Sequence, residues 1–392
     1  MKVFSMGGIT LLIVLVFGVL VSCTGSGVTV IPVAGPHGEF LFIVTTDYQS
    51  GSYGVYAVSQ GVMSAANPSI NSDATATFYG GKVWVVNRFG QDNILEVDPA
   101  TGFQPTTNQF SVGAGANPYD IEFASMTKAY VSRYDATTLW IVNPGTGQKI
   151  GEIDLSPFAD AADGKPEMAY MAMSGGRLFV ALQRLDRTGF PWTPAAAGAV
   201  VVIDTATDAV VDASPGVPGV NAIALAGQNP TTEWQTFNGR LYIGEQGALG
   251  VLDGGIERVN PTTLAPEGFL VSESALGGEI TDFALGEGRG YGYAVVADAT
   301  CSTPPNFTPC NMHLKAFDPS TGSNVRNILD VNGFTLAKIA LSGDASRLFV
   351  LDRSFTNPGL RVFRTVDDTE LTVAPIPTGN LPPFWMVDFT LP

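Results

Sequence analysis

The feature that most constrains the fold of this chain is a unit of about 50 residues that recurs seven times. Each copy begins with a short alternation of an apolar, a small and an apolar residue. The small residue stands at positions 77, 124, 172, 224, 284, 340 and 390, in steps of 47, 48, 52, 60, 56 and 50 residues. Periods of this length are typical of stacked or radially arranged supersecondary units.

Each copy of the unit predicts four antiparallel strands. The alternation forms the first strand, and a tight turn leads to a second strand that carries an aromatic residue, such as Trp84 or Tyr130. The third strand ends in a turn of the type Asp/Asn-Pro-x-Thr-Gly, found at 98–102 and 143–147. In this turn the first side chain caps the backbone, proline presets a dihedral angle and glycine accepts a positive φ. Repeated units of this kind predict an all-β fold, the β-propeller.

The two ends of the chain complement one another. Residues 39–66 have the pattern of the later strands of a unit but lack a first strand, whereas 384–391 form a first strand without successors. Pairing these ends would complete a seventh blade and remove the exposed sheet edges. We therefore predict a single domain over 39–392, a seven-bladed β-propeller closed by pairing of the C-terminal strand with the N-terminal blade.

The blade pattern resembles that of the YVTN-type seven-bladed propellers of bacterial and archaeal surface proteins. A strand, an Asn-Arg or similar pair, a loop, a strand and the Asp-Pro-x-Thr-Gly turn carry the resemblance, most clearly at 83–102 and 129–147. The resemblance covers residues 70–372 and implies the propeller fold. It implies little about function, because the family includes surface scaffolds and binding proteins, and its wider relatives include lactone hydrolases and quinoprotein subunits.

The N-terminus has the pattern of an export signal over residues 1–22. Lys2 supplies the positive charge, and the apolar run that follows is too short to favour a permanent membrane span. Leu20–Cys23 resembles the bacterial lipobox, which implies cleavage before the cysteine and a diacylglycerol on its thiol. The same resemblance implies the outer membrane, because Thr24 rather than aspartate follows the cysteine. The sequence thus predicts an envelope lipoprotein with a flexible tether over 23–38, and the alternative is an ordinary secretory signal.

The acidity of the chain excludes some partners. It has 20 basic and 36 acidic residues, and removal of Lys2 with the signal takes the net charge from −16 to −17. This charge argues against nucleic acid and against electrostatic binding to anionic lipid. We therefore expect a monomeric propeller that contacts the membrane only through its lipid.

Two cysteines, Cys301 and Cys310, bracket a loop without a strand pattern. In an exported chain such a pair is typical of a disulfide. The alternative is metal binding, but two cysteines with His313 nearby fall short of a four-ligand zinc site. The chain has no C-x-x-C-H motif for covalent haem, so no cofactor is predicted apart from Ca²⁺ in one alternative below.

Arginine recurs at one position of the repeat, the end of the second strand. Four blades carry an arginine there, and these residues are Arg88, Arg133, Arg184 and Arg353. The other three blades have Asp47, Glu245 and Asp298 at this position. Because the second strands all end on one face of a propeller, we expect the four arginines to surround one mouth of the central channel.

Charged residues also recur two positions before the small residue of the first strand. This set contains Glu122, Asp282, Asp388 and Lys338, with Tyr170, Thr75 and Ala222 in the other blades. Strand alternation directs these side chains into the channel, and Asp120 is expected to join them. One interpretation is structural, with arginines and axial carboxylates paired to clamp adjacent blades. The other is a site for an anionic or polar ligand.

Three functions are compatible with these patterns. The first is a non-enzymatic lipoprotein that binds a protein partner or an anionic or polar ligand at its arginine-bearing face. The second is a metal-dependent, lactonase-like hydrolase with Ca²⁺ on the channel carboxylates, although Lys338 would stand among the ligands. The third is a purely structural envelope component. A Ser-His-Asp relay is disfavoured because the only histidines are His37 and His313, neither of which belongs to a catalytic motif.

Overall fold

The computed structural model describes residues 20–23, 28–31, 36–64, 68–286, 290–299 and 310–392. Seven antiparallel sheets follow one another around a ring, so the chain is an all-β, seven-bladed propeller as predicted. Most of the predicted signal peptide and Cys301 lie outside the described residues, so the export signal and the disulfide stay predictions. Within the described residues, no helix has the length and apolar character needed to cross a membrane.

In chain order, the first two strands that the structure describes are β1 (Leu20–Cys23) and β2 (Val28–Ile31), which pair with each other. Blade one contains β3 (Gly38–Thr46), β4 (Gly51–Ala57), β5 (Val62–Ser64) and β33 (Pro383–Leu391). Blade two contains β6 (Ala74–Tyr79), β7 (Lys82–Asn87), β8 (Asn93–Asp98) and β9 (Gln104–Ser111). Blade three contains β10 (Pro118–Ser125), β11 (Lys128–Arg133), β12 (Thr138–Asn143) and β13 (Gln148–Asp154).

Blade four contains β14 (Met168–Ser174), β15 (Arg177–Leu182), β18 (Ala199–Asp204), β19 (Ala209–Val211) and β20 (Ile223–Ala224). A small hairpin of β16 (Leu185–Asp186) and β17 (Thr193–Pro194) is inserted after β15. Blade five contains β21 (Gln235–Phe237), β22 (Arg240–Glu245), β23 (Gly255–Asn260) and β24 (Ala265–Ser272).

Blade six contains β25 (Glu279–Gly286), β26 (Tyr291–Ala297), β27 (Met312–Phe317) and β28 (Arg326–Val331). Blade seven contains β29 (Leu336–Leu341), β30 (Arg347–Asp352), β31 (Gly359–Arg364) and β32 (Thr369–Glu370). Short helical turns among the described residues include two 3₁₀ turns (Pro99–Thr101 and Ser156–Phe158) and α1 (Glu273–Leu276).

The last strand of the chain closes the ring. β33 is the innermost strand of blade one and pairs with β3 from Gly38 opposite Leu391 to Thr45 opposite Pro383. This pairing confirms the predicted closure. It gives the N-terminal blade the inner strand that its own sequence lacks.

The turns and aromatic residues of the repeat perform the predicted structural roles. Asp98 Oδ1 accepts a hydrogen bond from the backbone N–H of Ala100 at 2.8 Å, and Gly102 follows with a φ of +74°. The aromatic residues of the second strands are buried between blades. Two of them also bond to the next blade, because Tyr130 Oη donates to Asp208 at 2.5 Å and Tyr293 Oη donates to Asp368 at 2.9 Å.

The predicted first strand of blade five, at 223–225, is wrong. Ile223 and Ala224 form β20, which pairs with β18 and completes the outer edge of blade four. The true inner strand of blade five is β21, further along the chain. Ile223 and Leu225 are nevertheless buried, because an outer strand packed on one face shows the same alternation as an inner strand.

Candidate ligand-binding site

The propeller has two distinct faces. The second strands end, and the first strands begin, at the face that carries Arg88 and Arg353, which we call the arginine-bearing face. The tight turns between first and second strands, such as Gly80–Gly81, lie at the opposite face, which we call the turn face. Side chains on the first strands line the axis between these two faces.

The buried aromatic of each second strand fixes the register of the axial side chains. Tyr130 pairs with Glu122, and Tyr293 pairs with Ala284. Asp120 and Asp282 therefore occupy the same position, two residues nearer the arginine-bearing face. By the same criterion this position is held by Tyr170, Glu233 and Lys338 in blades four, five and seven. We call Asp120, Tyr170, Glu233, Asp282 and Lys338 the axial layer.

This register corrects two predicted positions. Asp120, and not Glu122, is the blade-three member of the axial layer, and Glu122 lies closer to the turn face. Glu233 replaces Ala222 in blade five, because 223–225 belongs to blade four. The signal that could have found Glu233 was the second strand around Tyr242, whose turn at Asn238 and Gly239 places the first strand immediately before it.

Side chains from non-adjacent blades meet on the axis. The Nζ of Lys338 in blade seven lies 2.7 Å from Glu233 Oε2 in blade five and 3.5 Å from Asp282 Oδ1 in blade six. The ring of Trp385 in blade one stacks on Tyr170 in blade four, with centroids 5.5 Å apart. Lys338 also lies 4.1 Å from the centre of the Trp385 ring. An ion-paired and aromatic plug therefore fills the axis at this level.

Two aspartates of the axial layer bind the main chain of the next blade. Asp120 Oδ2 accepts a hydrogen bond from the backbone N–H of Met171 at 2.8 Å, and Asp282 Oδ2 accepts one from Ile339 at 2.7 Å. Met171 and Ile339 occupy equivalent positions on the inner strands of blades four and seven. These carboxylates thus have a repeated structural role between adjacent inner strands.

Burial controls the protonation of the axial carboxylates. It raises the pKa of Asp120 to about 7, and repulsion by Glu233 adds to the effect. Burial also raises the pKa of Glu122, Glu233 and Asp282. Burial acts in the opposite direction on Lys338, but the charges of Asp282 and Glu233 together raise its pKa. Lys338 therefore stays charged as the cation of this acidic cluster.

The space around the plug differs in size along the axis. Between Tyr170, Glu233 and Lys338 the cavity measures about 30 Å³, which is enough for water only. At the turn face a wider pocket of about 310 Å³ is lined by residues that include Glu233, Lys338 and Asp388. Burial, followed by the charge of Glu39, raises the pKa of Asp388 to about 8. The predicted axial residues therefore lie in two different environments, a filled interior and an open pocket at the turn face.

The four arginines do not pair with the axial carboxylates, so the predicted clamp partners are wrong. Arg88 binds Asp73, with Nε 3.0 Å from Oδ1, and its guanidinium lies over Tyr119. The other three arginines bind main-chain carbonyls. Their acceptors include Val112 for Arg133, Ala197 for Arg184, and Thr46 and Pro383 for Arg353. Arg353 thereby joins blade seven to blade one.

The acidic residues at the equivalent position have three different environments. Asp47 caps its own loop by accepting a hydrogen bond from the backbone N–H of Ser50 at 2.7 Å. Glu245 is buried within blade five. Asp298 lies 2.9 Å from His313 Nε2, and the other ring nitrogen of His313 contacts Asp330 at 2.5 Å. The predicted ring is therefore not one surface of uniform chemistry.

The arginine-bearing face contains a cleft of about 440 Å³ over blades two to five. Its walls combine aromatic, amide and charged side chains, together with backbone and small residues. The lining residues are Asp73, Arg88, Phe89, Asn117, Tyr119, Tyr134, Gln183, Leu185, Trp192, Asn229 and Thr231. Arg88 is the one predicted site residue among them, so the cleft contains a part of the predicted ring.

The aromatic walls of the cleft are of two kinds. Phe89 and Trp192 both line the cleft and are 73% and 48% exposed, so their rings are accessible to a ligand. Tyr134 is buried and donates a hydrogen bond to Gln183, whose amide in turn donates to the carbonyl of Pro230 at 3.0 Å. The cleft thus has a fixed polar floor and exposed aromatic edges. Trp192 lies in the inserted hairpin, between β16 and β17.

Comparison with known proteins identifies the fold. No protein-family model and no curated protein matches the chain. A candidate 6-phosphogluconolactonase from Bacteroides uniformis superposes with a TM-score of 0.62 at 12% identity, over 90% of this chain and 100% of that one. A second, from Bacteroides fragilis, gives 0.62 at 10% identity over 90% and 98%. Apo AztD from Citrobacter koseri gives 0.51 at 13% identity over 90% and 98%. At these identities the similarity shows the fold alone.

Proposed function

We propose that this protein binds a small polar or anionic molecule, without transforming it, in the cleft on the arginine-bearing face. The observation that carries the proposal is the combination, in one cleft of about 440 Å³, of exposed Phe89 and Trp192 with Arg88 and fixed amides. Pockets for small ligands usually have this size and pair apolar walls with a few placed polar groups.

The chemistry of the cleft suits a molecule with both apolar and polar surfaces, such as a sugar or a sugar acid. Phe89 and Trp192 would pack against the C–H faces of a ring. Gln183 would offer hydrogen bonds to hydroxyl groups, because its side chain is already oriented by Tyr134 and Pro230. Arg88 is oriented by Asp73, and the guanidinium donors that Asp73 does not occupy favour a carboxylate over a neutral hydroxyl as acceptor.

The lactonase alternative has weaker support. It would require a metal ion on the channel carboxylates, but Asp282 and Glu233 already bind the ammonium group of Lys338. Asp120 and Asp282 also hold the main chain of adjacent blades. The cavity of about 30 Å³ between these residues leaves little room for a lactone, and the wider pocket of about 310 Å³ at the turn face contains Lys338 beside Glu233. The structural alternative does not account for the two exposed aromatics in a polar cleft.

A titration with hexoses and the corresponding uronates tests this function. Binding should change the tryptophan fluorescence, and a ligand at about 100 times its Kd should stabilise the fold by about 2.7 kcal/mol. Trp192→Ala should weaken both ligand series at least about tenfold. Arg88→Gln should weaken the uronates selectively. Phe355→Ala is the matched control. Phe355 follows the second strand of blade seven, as Phe89 follows the second strand of blade two, but it is fully exposed and does not line the cleft.

Two results would contradict the proposal. One is the absence of saturable binding for both series. The other is equal binding by the wild type and by Trp192→Ala, since this would place the ligand outside the cleft. Selective loss of uronate binding in Arg88→Gln, without a change in the unfolding temperature, would assign the charge preference to this residue.

We also propose that the protein is held at the outer membrane by a lipid on Cys23. The support is the sequence Leu20–Cys23 after an apolar run, and the structure describes only the backbone of this segment, as β1. Replacing Cys23 with Ala should move the protein from the membrane fraction to the soluble periplasmic fraction. Retention of the variant in the membrane fraction would contradict a lipid anchor.

A further inference from the structure

The connection between β13 and β14 carries three carboxylates that converge beside the cleft. One ligand oxygen from each of Asp160, Asp163 and Glu167 lies within 4.8 Å of the other two. Two oxygens that each lie about 2.3–2.6 Å from one Ca²⁺ ion are at most about 5 Å apart. The spacing of the three carboxylates therefore allows all of them to contact the same ion.

Asp160 is buried and has an oxygen without a donor. The residue is 7% exposed. Its Oδ1 accepts a hydrogen bond from the backbone N–H of Ala162 at 2.7 Å. Its Oδ2 is buried and has no hydrogen-bond partner among the residues that the structure describes. A buried polar atom left in this state costs about 1–3 kcal/mol, and more when it is charged, so this oxygen favours a bound cation.

The charge of the cluster is unbalanced. Arg187 Nε lies 3.1 Å from Asp163 and 3.2 Å from Glu167, and its Nη1 lies 2.6 Å from Asp135. Together with Asp160, four carboxylates share one guanidinium. Asp160 and Glu167 are both buried, so water screens this excess of negative charge poorly. The cluster therefore favours additional positive charge.

We propose that Asp160, Asp163 and Glu167 form a Ca²⁺-binding site. The three ligands are hard carboxylate oxygens, which favour Ca²⁺ or Mg²⁺ over zinc and other softer metals. Ca²⁺ accepts six to eight oxygens in irregular geometry, whereas Mg²⁺ requires a near-octahedral arrangement. Gly164 has a φ of +73°, and this turn brings Asp163 and Glu167 back to the same side of the short connection.

The proposed ion would stabilise one wall of the cleft. Glu167 Oε2 accepts a hydrogen bond from the backbone N–H of Leu185, the first residue of the inserted hairpin, at 3.0 Å. Arg187 follows in the same hairpin and packs over the rings of Tyr134 and Trp192, at 5.0 and 5.6 Å from their centres. An ion on Glu167 therefore holds the segment that carries Trp192.

Calcium titration of the full mature chain, after treatment with EDTA and dialysis, tests the site. Calorimetry should show one Ca²⁺ per chain, and Ca²⁺ should raise the unfolding temperature. Asp160→Asn should weaken Ca²⁺ binding at least about tenfold. It should unfold at the wild-type temperature in EDTA, because asparagine keeps the oxygen that accepts from Ala162. Asp154→Asn is the matched control, because Asp154 begins the same connection but caps Ser156 at 2.9 Å.

The results separate this site from the proposed ligand cleft, since no sugar is present in the titration. Absence of saturable Ca²⁺ binding by the wild type would overturn the proposal. An equal loss of Ca²⁺ affinity in Asp154→Asn and Asp160→Asn would also overturn the proposal, because the loss would then not be specific to the proposed ligands. Equal stabilisation by Mg²⁺ would overturn the choice of metal. Glu167→Gln serves as a second variant and should lose Ca²⁺ binding to the same extent.

Discussion

At the scale of single residues, Glu245 shows how an acidic side chain replaces arginine at the end of a second strand. It is fully buried, and burial, followed by the charge of Glu257, raises its pKa to about 10. Gly227 is required beside it, because a Cβ there would lie 1.8 Å from Glu245 Oε2. Glu245 is therefore a neutral acid at physiological pH, with the buried Glu257 close to it.

This protonation predicts a pH dependence of stability. The pKa of Glu245 is about 10 in the folded chain, compared with an ordinary value of 4.5 in the unfolded chain. Between pH 4.5 and about pH 10, the folded state therefore holds a proton that the unfolded state releases. Stability should therefore fall as the pH rises through this window. Glu245→Gln should unfold at a higher temperature than the wild type at alkaline pH, by about 1–2 °C for each kcal/mol relieved in a domain of this size. In mild acid the wild type and Glu245→Gln should unfold at the same temperature.

The control for this measurement is Glu267→Gln. Glu267 is on the surface of the same blade and binds Arg240 at 2.8 Å, and its pKa is lowered, chiefly by this hydrogen bond. This variant should not gain stability at alkaline pH. Parallel pH profiles for the wild type and Glu245→Gln would show that Glu245 is not protonated in the folded chain.

At the scale of strands and blades, the sequence was sufficient for most of the repeat. Blade number, closure and turn chemistry depend on local patterns, and all three are confirmed. The axial register of blade three could not be predicted, because a β-bulge between Phe123 and Ser125 disturbs the count from the turn. The cleft also depends on side chains from four blades and on an inserted hairpin, and the repeat gives no information about their distances.

The contacts between blades predict that removal of a tyrosine hydroxyl lowers stability by the same amount at two separate junctions. Tyr130 and Tyr293 each donate a hydrogen bond to an aspartate in the turn of the next blade. Replacing either with Phe should lower the free energy of unfolding by about 1.5–3 kcal/mol, because the acceptor is charged. Chemical denaturation measures this loss, and the double variant should be additive because the two junctions are far apart.

Tyr242→Phe is the matched control. Tyr242 occupies the same position in blade five, and its hydroxyl forms no hydrogen bond with a residue that the structure describes. This variant should therefore retain most of the wild-type stability. A loss as large as that of Tyr130→Phe would indicate that the hydroxyl groups contribute through packing rather than through the contacts between blades.

At the scale of the whole molecule, the ring depends on its last strand. Deleting 383–392 removes β33 and with it Trp385, which fills the axis and donates a hydrogen bond to the carbonyl of Ala76 at 3.0 Å. β3 would become an exposed edge with buried apolar residues uncovered. We expect this truncation to aggregate on size-exclusion chromatography, whereas deletion of Pro392 alone should leave a folded monomer. A soluble, cooperatively unfolding truncation would show that six inner strands suffice.

The pairing that closes the ring also determines the face at which the chain enters the propeller. β3 begins at Gly38 beside Leu391, at the turn face, and ends at Thr46 beside Pro383, at the arginine-bearing face. A chain that arrives from a lipid on Cys23 thus enters the propeller through the turn face. Under the proposed anchor the turn face is the face nearer to the lipid, and Arg88 and Trp192 lie on the opposite face, away from the point of attachment.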